Sequence, residues 1–217
     1  MKMLLDDRSN RCYLQSMNMA TNTETNPVRD SILAHGQRIM AGKGFSAVGL
    51  NEILAAARVP KGSFYHYFGS KEAFGEALLE RYFADYLAYL DATLSAPDQN
   101  MAQRLMAYWQ NWQDTQSFHD CQGKCLAVKL GAEVADLSEA MRLALARGTS
   151  GITRRLARAI EDGVAEGSLT IEGSPTEVAQ SLYQLWLGAS VMVKIARDTQ
   201  PFVTAMATTR HILHLTL

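Results

Sequence analysis

The chain has 217 residues, 47% of them hydrophobic, which predicts a globular protein with a substantial core in one large domain or two small ones. Its three cysteines, and the charges across residues 1–16 where a secretory signal needs an apolar run, favour a reducing cytoplasm. The longest apolar stretch, residues 182–196, is shorter than a bilayer span and contains Gln184 and Lys194, so no membrane helix is expected.

Charge is unevenly distributed although the net charge is only -1. Residues 27–75 contain six Lys or Arg against three Asp or Glu, whereas residues 76–217 contain twelve against sixteen. A basic front part on an acidic remainder predicts that the front part contacts a polyanion.

Residues 1–26 are predicted to form a polar tail outside the fold. Beyond them, apolar residues recur at the helical period and no segment alternates as a strand would, so the predicted class is all-α. Asn26 is the expected N-cap of a first helix that has Pro27 at its first position and ends near Gly44.

Two short helices follow the first one. The second is predicted from Gly49, its N-cap, to Ala57, and the third opens at Pro60 after a tight turn. Helix, tight turn and helix in this order form a helix-turn-helix pattern.

The third helix lies in the stretch VPKGSFYHYFGSKEAF, residues 59–74. Apolar rings fall on one side at spacings of three and four, and polar or cationic residues fall on the other. A glycine within the polar side lets another molecule approach the backbone closely. The core side is predicted to hold Phe64, Tyr67 and Phe68, and the polar side Lys61, Gly62, Tyr65 and His66.

Lys61 and Lys71 each fall in the first turn of a predicted helix, where the helix dipole disfavours a cation. A bound phosphate would reverse that penalty, so the stretch predicts a DNA-docking unit. A small helical bundle without DNA is the alternative that the pattern leaves open. The predicted phosphate contacts are Lys61, Tyr65, His66 and Lys71, with Gly62 and Ser63 near base edges.

Residues 44–74, GFSAVGLNEILAAARVPKGSFYHYFGSKEAF, resemble the N-terminal domain of TetR-family transcriptional repressors. The resemblance implies a DNA-binding domain over residues 27–69, a sensor and dimerisation domain over residues 70–217, and about nine helices. It also implies a homodimer on a palindromic, double-stranded operator. Gly49 occupies a DNA-contacting position where many members have a hydroxyl residue, and Arg58 stands where the turn is usually glycine.

Capping signals divide the second half of the chain. Asp136 with Glu139 predicts the start of helix 7, over about 137–166, and SPTE at 174–177 predicts the start of helix 8, over about 175–198. Helix 8 is too apolar to face water on any side. A buried helix in one core explains this as well as a dimer face does, but the family places its interface on helices 8 and 9.

Cys125 follows Gly123 at an expected helix start, with Lys124 beside it and Lys129 one turn along. A helix N-terminus and nearby cations stabilise the reactive thiolate, which makes Cys125 a candidate sensor. The ordinary alternative is a small buried side chain.

Residues 123–142 and 185–197 resemble electrophile-responsive repressors within the TetR family. The resemblance implies that quinones, maleimides, reactive aldehydes or hypochlorite attack Cys125. Lys194 would lower the cysteine pKa and, after oxidation to sulfenic acid, could trap the sulfur as a nitrogen adduct. Cys121 is a candidate resolving thiol.

Three other interpretations of this segment stay open. His119, Cys121 and Cys125 could ligate a metal, although no second ligand pair is evident and neither a metal nor a cofactor is expected. A thiol enzyme would use Cys125 with His119 as its base, but that leaves the 59–74 stretch unexplained, so no enzyme is expected. A reversible hydrophobic inducer could replace thiol chemistry in the same repressor.

Overall fold

The computed structural model describes residues 26–121 and 125–215, and residues 117–121 by their backbone alone. These residues form nine α-helices and no strand, which confirms the all-α class. The helices are α1 Pro27–Lys43, α2 Leu50–Ala57, α3 Lys61–Phe68, α4 Lys71–Leu94, α5 Met101–Cys121, α6 Leu126–Leu137, α7 Glu139–Ala165, α8 Pro175–Ala196 and α9 Gln200–Ile212.

The first three helices form the predicted helix-turn-helix unit. The Asn26 side chain accepts hydrogen bonds from the amides of Val28 and Arg29, and so caps α1 as predicted. Arg58 is the C-cap of α2, and its φ of 55° and ψ of 43° place it in the left-handed region. Pro60 precedes α3 as its N-cap rather than opening it.

The second half of the chain packs around two long helices, α4 and α7, which run in the same direction, since Glu80 pairs with Arg147 and Asp91 pairs with Arg155. Small residues on α7 bring the helices together, because Gly148 lies under the Phe83 ring and Gly151 lies against Leu87. Helix α8 packs on α7 and on α5, and α9 packs on α8 and on α5. None of the helices in the described ranges is long and apolar enough to cross a membrane.

The N-cap residue predicted for helix 7 was wrong. Asp136 belongs to the preceding helix, α6, and the N-cap of α7 is Ser138, whose hydroxyl accepts from the amide of Met141. An Asp-x-x-Glu match does not reveal that the helix before it continues for one more residue. The capping box at the start of α8, between Ser174 and Glu177, is confirmed.

Close packing at Gly148 makes it sensitive to a single added methyl group. A Cβ there would lie 2.1 Å from the Phe83 ring, whereas one at Gly131 in α6 would meet nothing within 4 Å. We expect Gly148→Ala to lower the free energy of unfolding by about 1–3 kcal/mol through overpacking.

The matched change Gly131→Ala should leave that free energy unchanged or raise it by up to about 1 kcal/mol, since alanine favours a helix interior. Urea unfolding of both variants measures the difference. Equal stabilities would contradict the α4–α7 packing described above.

Candidate DNA interface and thiol site

One face of α3 is exposed and polar, as the helical spacing predicted. Phe64 and Phe68 are buried, while Lys61, Gly62, Tyr65 and His66 are exposed. The Lys61 ammonium lies 5.8 Å from the centre of the Tyr65 ring. A Cβ on Gly62 would meet nothing within 4 Å, so the backbone there is open to a close approach.

The neighbouring turn contributes the other predicted DNA contacts. Gly49 is the exposed N-cap of α2, where no side chain caps the helix, and its surroundings are equally open. Ser63 is half-buried in the first turn of α3. Arg58 is exposed in the turn between the two helices. Gly49 and Arg58 are therefore exposed, and Ser63 is partly exposed, as contacts to DNA require.

Lys71 differs from the other predicted phosphate contacts. It is half-buried, its ammonium donates to the carbonyl oxygen of Phe45 at 2.8 Å, and it lies 4.5 Å above the centre of the Phe45 ring. The side chain thus joins the start of α4 to the α1–α2 turn. A phosphate contact from its remaining N–H groups stays a prediction.

Cys125 lies at the start of a helix, as expected, but deep in the protein. It is the N-cap residue of α6 and is only 6% exposed. The Tyr82 hydroxyl, from α4, donates to its sulfur at 3.7 Å. Within the part of the chain that the structure describes, it is a free cysteine.

Burial decides the acidity of this thiol. Desolvation raises the pKa of Cys125 above its ordinary value, although the backbone of Val128 and Ala127, the Tyr82 hydroxyl and the Lys194 charge all act to lower it. The helix start and Lys194 therefore act in the predicted direction, but burial outweighs them, so the pKa of Cys125 is raised in this conformation.

Further phenols surround the thiol, and the sequence analysis did not identify them. The hydroxyls of Tyr86 and Tyr108 share a hydrogen bond of 2.9 Å, and burial raises the pKa of both well above the ordinary range. Tyr183 on α8 also interacts electrostatically with Cys125. The spacing of Tyr82 and Tyr86 on α4 could have indicated one helical face, but not its convergence with α5 and α8.

Lys194 lies on α8 close enough for its charge to act on the sulfur. It is half-buried, and this burial lowers the pKa of its ammonium; Cys125 acts in the opposite direction and Lys129 adds to the lowering. A half-buried amine of lowered pKa is neutral more often than an exposed lysine, and only a neutral amine is a nucleophile.

The remaining predicted residues of this site lie outside the described side chains. These are Cys121 and His119, whose side chains are not described, and Lys124. No cluster of potential metal ligands occurs among the side chains that the structure does describe.

The pKa balance gives a prediction about thiol reactivity. We expect the rate of Cys125 alkylation by iodoacetamide to rise with pH about a midpoint above that of a free cysteine, roughly 8.5. Tyr82→Phe removes a donor that favours the thiolate, so the midpoint should move higher and the rate at pH 7.5 should fall.

Tyr65→Phe, at an exposed ring on α3, is the matched control and should leave the profile unchanged. Peptide mass spectrometry across the pH series supplies the rates. A wild-type midpoint below that of a free cysteine would mean that burial does not control the thiol.

Both halves of the chain match known protein families. Residues 32–78 match the model for bacterial regulatory proteins of the tetR family, and residues 102–209 match the tetracyclin repressor-like C-terminal domain. The first match contains the whole helix-turn-helix from α2 to α3, and the second spans α5 to most of α9.

Curated and solved relatives agree with these matches. The chain is 44% identical over 197 residues to the HTH-type transcriptional repressor NemR of Escherichia coli K12, covering 91% of this chain and 98% of that protein. It is 38% identical over 183 residues to the transcriptional regulator AcuR of Cereibacter sphaeroides, covering 79% and 81%.

Among solved structures, reduced E. coli NemR superposes with a TM-score of 0.83 at 45% identity, over 87% of this chain and 97% of that one. Regulatory protein TetR from Rhodobacter sphaeroides superposes with a TM-score of 0.77 at 32% identity, over 85% and 97%. With its exposed helix-turn-helix face, its helical second half and these relatives, the chain belongs to the TetR family and is a DNA-binding transcriptional repressor similar to NemR.

Proposed function

We propose that this repressor binds a palindromic operator as a homodimer and releases it when a reactive electrophile or oxidant modifies Cys125. The proposal concerns a binding protein without catalytic turnover. The observation that carries it is the position of Cys125 at the N-terminus of α6, between the Tyr82 hydroxyl and the Lys194 charge.

Operator binding is assigned to the exposed face of α3. An α-helix fits the major groove, and the Lys61 cation, the Tyr65 and His66 side chains and the open Gly62 backbone are groups that contact phosphates and base edges. Because the formal charge of the whole chain is -1, this local positive charge rather than the total attracts DNA.

Dimerisation is assigned to the outer surface of α8 and α9. The apolar side chains of Val191, Met192, Ile195 and Val203 are 43–69% exposed there. Beside them a shallow groove of about 400 Å³ includes Gly188 and Met192. The cost of exposing this surface and the family's usual dimerisation on these helices both favour burial against a second chain.

The chemistry at the thiol begins with attack by the Cys125 thiolate on the electrophilic carbon of a quinone or maleimide. The sulfur–carbon bond forms, the ring accepts the electron pair, and the thiol proton ends on the adduct. With hypochlorite, the sulfur is oxidised to sulfenic acid as chloride leaves, and the neutral Lys194 amine then displaces water to form a sulfur–nitrogen bond. Either product is larger than a thiol buried to 6% exposure, so the packing at the start of α6 must change.

The test of this proposal is a gel shift on DNA from upstream of the gene at one stated salt concentration, with wild type and Cys125→Ser, before and after benzoquinone. We expect both to bind before treatment and only wild type to be released after it, because serine lacks the nucleophilic thiolate.

Treated protein is also analysed by mass spectrometry to locate the adduct. Release of both proteins would favour the alternative, a reversible hydrophobic inducer or another thiol. Retention of both, with Cys125 modified, would contradict a thiol switch.

A second prediction concerns the operator contacts. Lys61→Ala should weaken binding to all DNA sequences alike and reduce the slope of log affinity against log salt by about 1, since one phosphate contact is lost. Arg158→Ala, at an exposed arginine on α7, should change neither quantity. Fluorescence anisotropy at several salt concentrations measures both, and an unchanged slope for Lys61→Ala would remove that residue from the interface.

A further inference from the structure

The DNA-binding unit contacts the second half of the chain through the α1–α2 turn as well as through the packing of α1 and α3 on α4. The carboxylate of Glu133, on α6, accepts hydrogen bonds from two consecutive backbone amides of this turn. The Phe45 amide donates to Oε2 at 3.0 Å, and the Ser46 amide donates to Oε1 at 2.6 Å. Both carboxylate oxygens are therefore used by the turn.

The local backbone is shaped to receive this carboxylate. Gly44 has φ of 89°, a conformation that favours glycine, and a Cβ there would lie 2.8 Å from Glu133 Oε2. Burial alone would raise the pKa of Glu133, but hydrogen bonds from Ser46 and Phe45 outweigh it and hold the pKa below its ordinary value. The carboxylate is thus ionised at neutral pH and its hydrogen bonds are charge-assisted.

Phe45 is held on its other sides as well. Its carbonyl oxygen accepts from the Lys71 ammonium of α4, and its ring is only 4% exposed. The ring packs beside Gly75 of α4, where a Cβ would lie 2.7 Å from Phe45 and 2.4 Å from the sulfur of Met141. Helices α4 and α6 of the second half therefore both bond to Phe45, and Met141 of α7 lies beside the same glycine as its ring.

The helix that carries Glu133 also begins at Cys125. Eight residues separate them, which is about 12 Å along a helix axis. One side of this short helix is fixed to the core through Leu126, Leu130 and Val134, which are at most 1% exposed. Because α6 is one short, continuous helix, we expect a displacement at its N-terminus to move the carboxylate as well.

We propose that Glu133 is a positioning residue. Its hydrogen bonds hold the helix-turn-helix in the operator-binding orientation, and these bonds break when the N-terminus of α6 is displaced. The inference rests on the proposed function, because Cys125 supplies the displacement. Glu133 does not contact DNA in this proposal. Its two hydrogen bonds stabilise one of two orientations of the DNA-binding unit, and modification of the thiol shifts the population to the other.

The test compares Glu133→Gln with Asp136→Asn, a matched acid-to-amide change at an exposed residue of the same helix. A glutamine has one oxygen and an NH₂ group, so it cannot accept from both amides. We expect Glu133→Gln to bind operator more weakly than wild type, in the range of roughly 5–150-fold typical of allosteric coupling. Alkylation of its Cys125 should then cause little further loss, whereas Asp136→Asn should match wild type before and after alkylation.

Two outcomes of this comparison would overturn the inference. One is a Glu133→Gln variant with wild-type affinity and wild-type release. The other is a variant that binds weakly and is weakened again by the same factor as wild type, which would be a structural defect without coupling. Thermal unfolding of each variant establishes that it is folded at the assay temperature.

A second measurement needs no thiol reaction. Coupling is reciprocal, so operator DNA should slow amide hydrogen exchange within α6 of unmodified wild type, and this slowing should be absent in Glu133→Gln. Identical α6 exchange with and without operator in wild type would overturn the inference. If wild type keeps its operator after Cys125 is modified, or Cys125 does not react, the thiol switch fails, and the exchange result alone decides the role of Glu133.

Discussion

The position of the DNA-binding unit on the second half of the chain depends on the contacts of Phe45. This residue of the DNA-binding unit places its ring in the core of the second half of the chain, and its amide and carbonyl groups bond to Glu133 and Lys71. A buried backbone group must find a partner, so the turn cannot move away from α6 without losing a charge-assisted bond. The orientation of α3 relative to the second half therefore depends on this turn as well as on the direct packing of α3 against Phe74 of α4.

The parts of the fold that follow local rules could be predicted from the sequence. Two helix starts follow from hydrogen bonds that span only two or three residues. Asn26, before a proline, caps α1, and the capping box of Ser174 and Glu177 begins α8; both are observed as predicted. The polar face of α3 follows from helical spacing alone. The cap at Ser138 was missed because two capping signals lie within three residues of each other, and tertiary packing chooses between them.

The candidate site residues also fall into two groups, those whose position one helix determines and those whose partners are distant in the sequence. Exposure of Lys61 and His66 is a property of one helix, whereas the Lys71 bond to Phe45 spans 26 residues and the Glu133 bonds span 87 and 88. Spacing along a helix carries no information about such partners. The sign of the Cys125 pKa shift was missed for a related reason, since the helix start and the lysines are visible in the sequence but the depth of burial is not.

Burial of the thiol and its proposed reactivity are compatible if reaction occurs from a conformation in which α6 has opened at its N-terminus. An electrophile must reach a sulfur that is 6% exposed, so the closed form protects it. Opening removes the desolvation that raises the Cys125 pKa but leaves the α6 amides beside the sulfur, because they belong to the same helix. The thiol is then both more accessible and more ionised. In the proposed switch, a covalent adduct that does not fit the closed form keeps the helix open, so the conformation that reacts is also the one that releases the turn at Phe45.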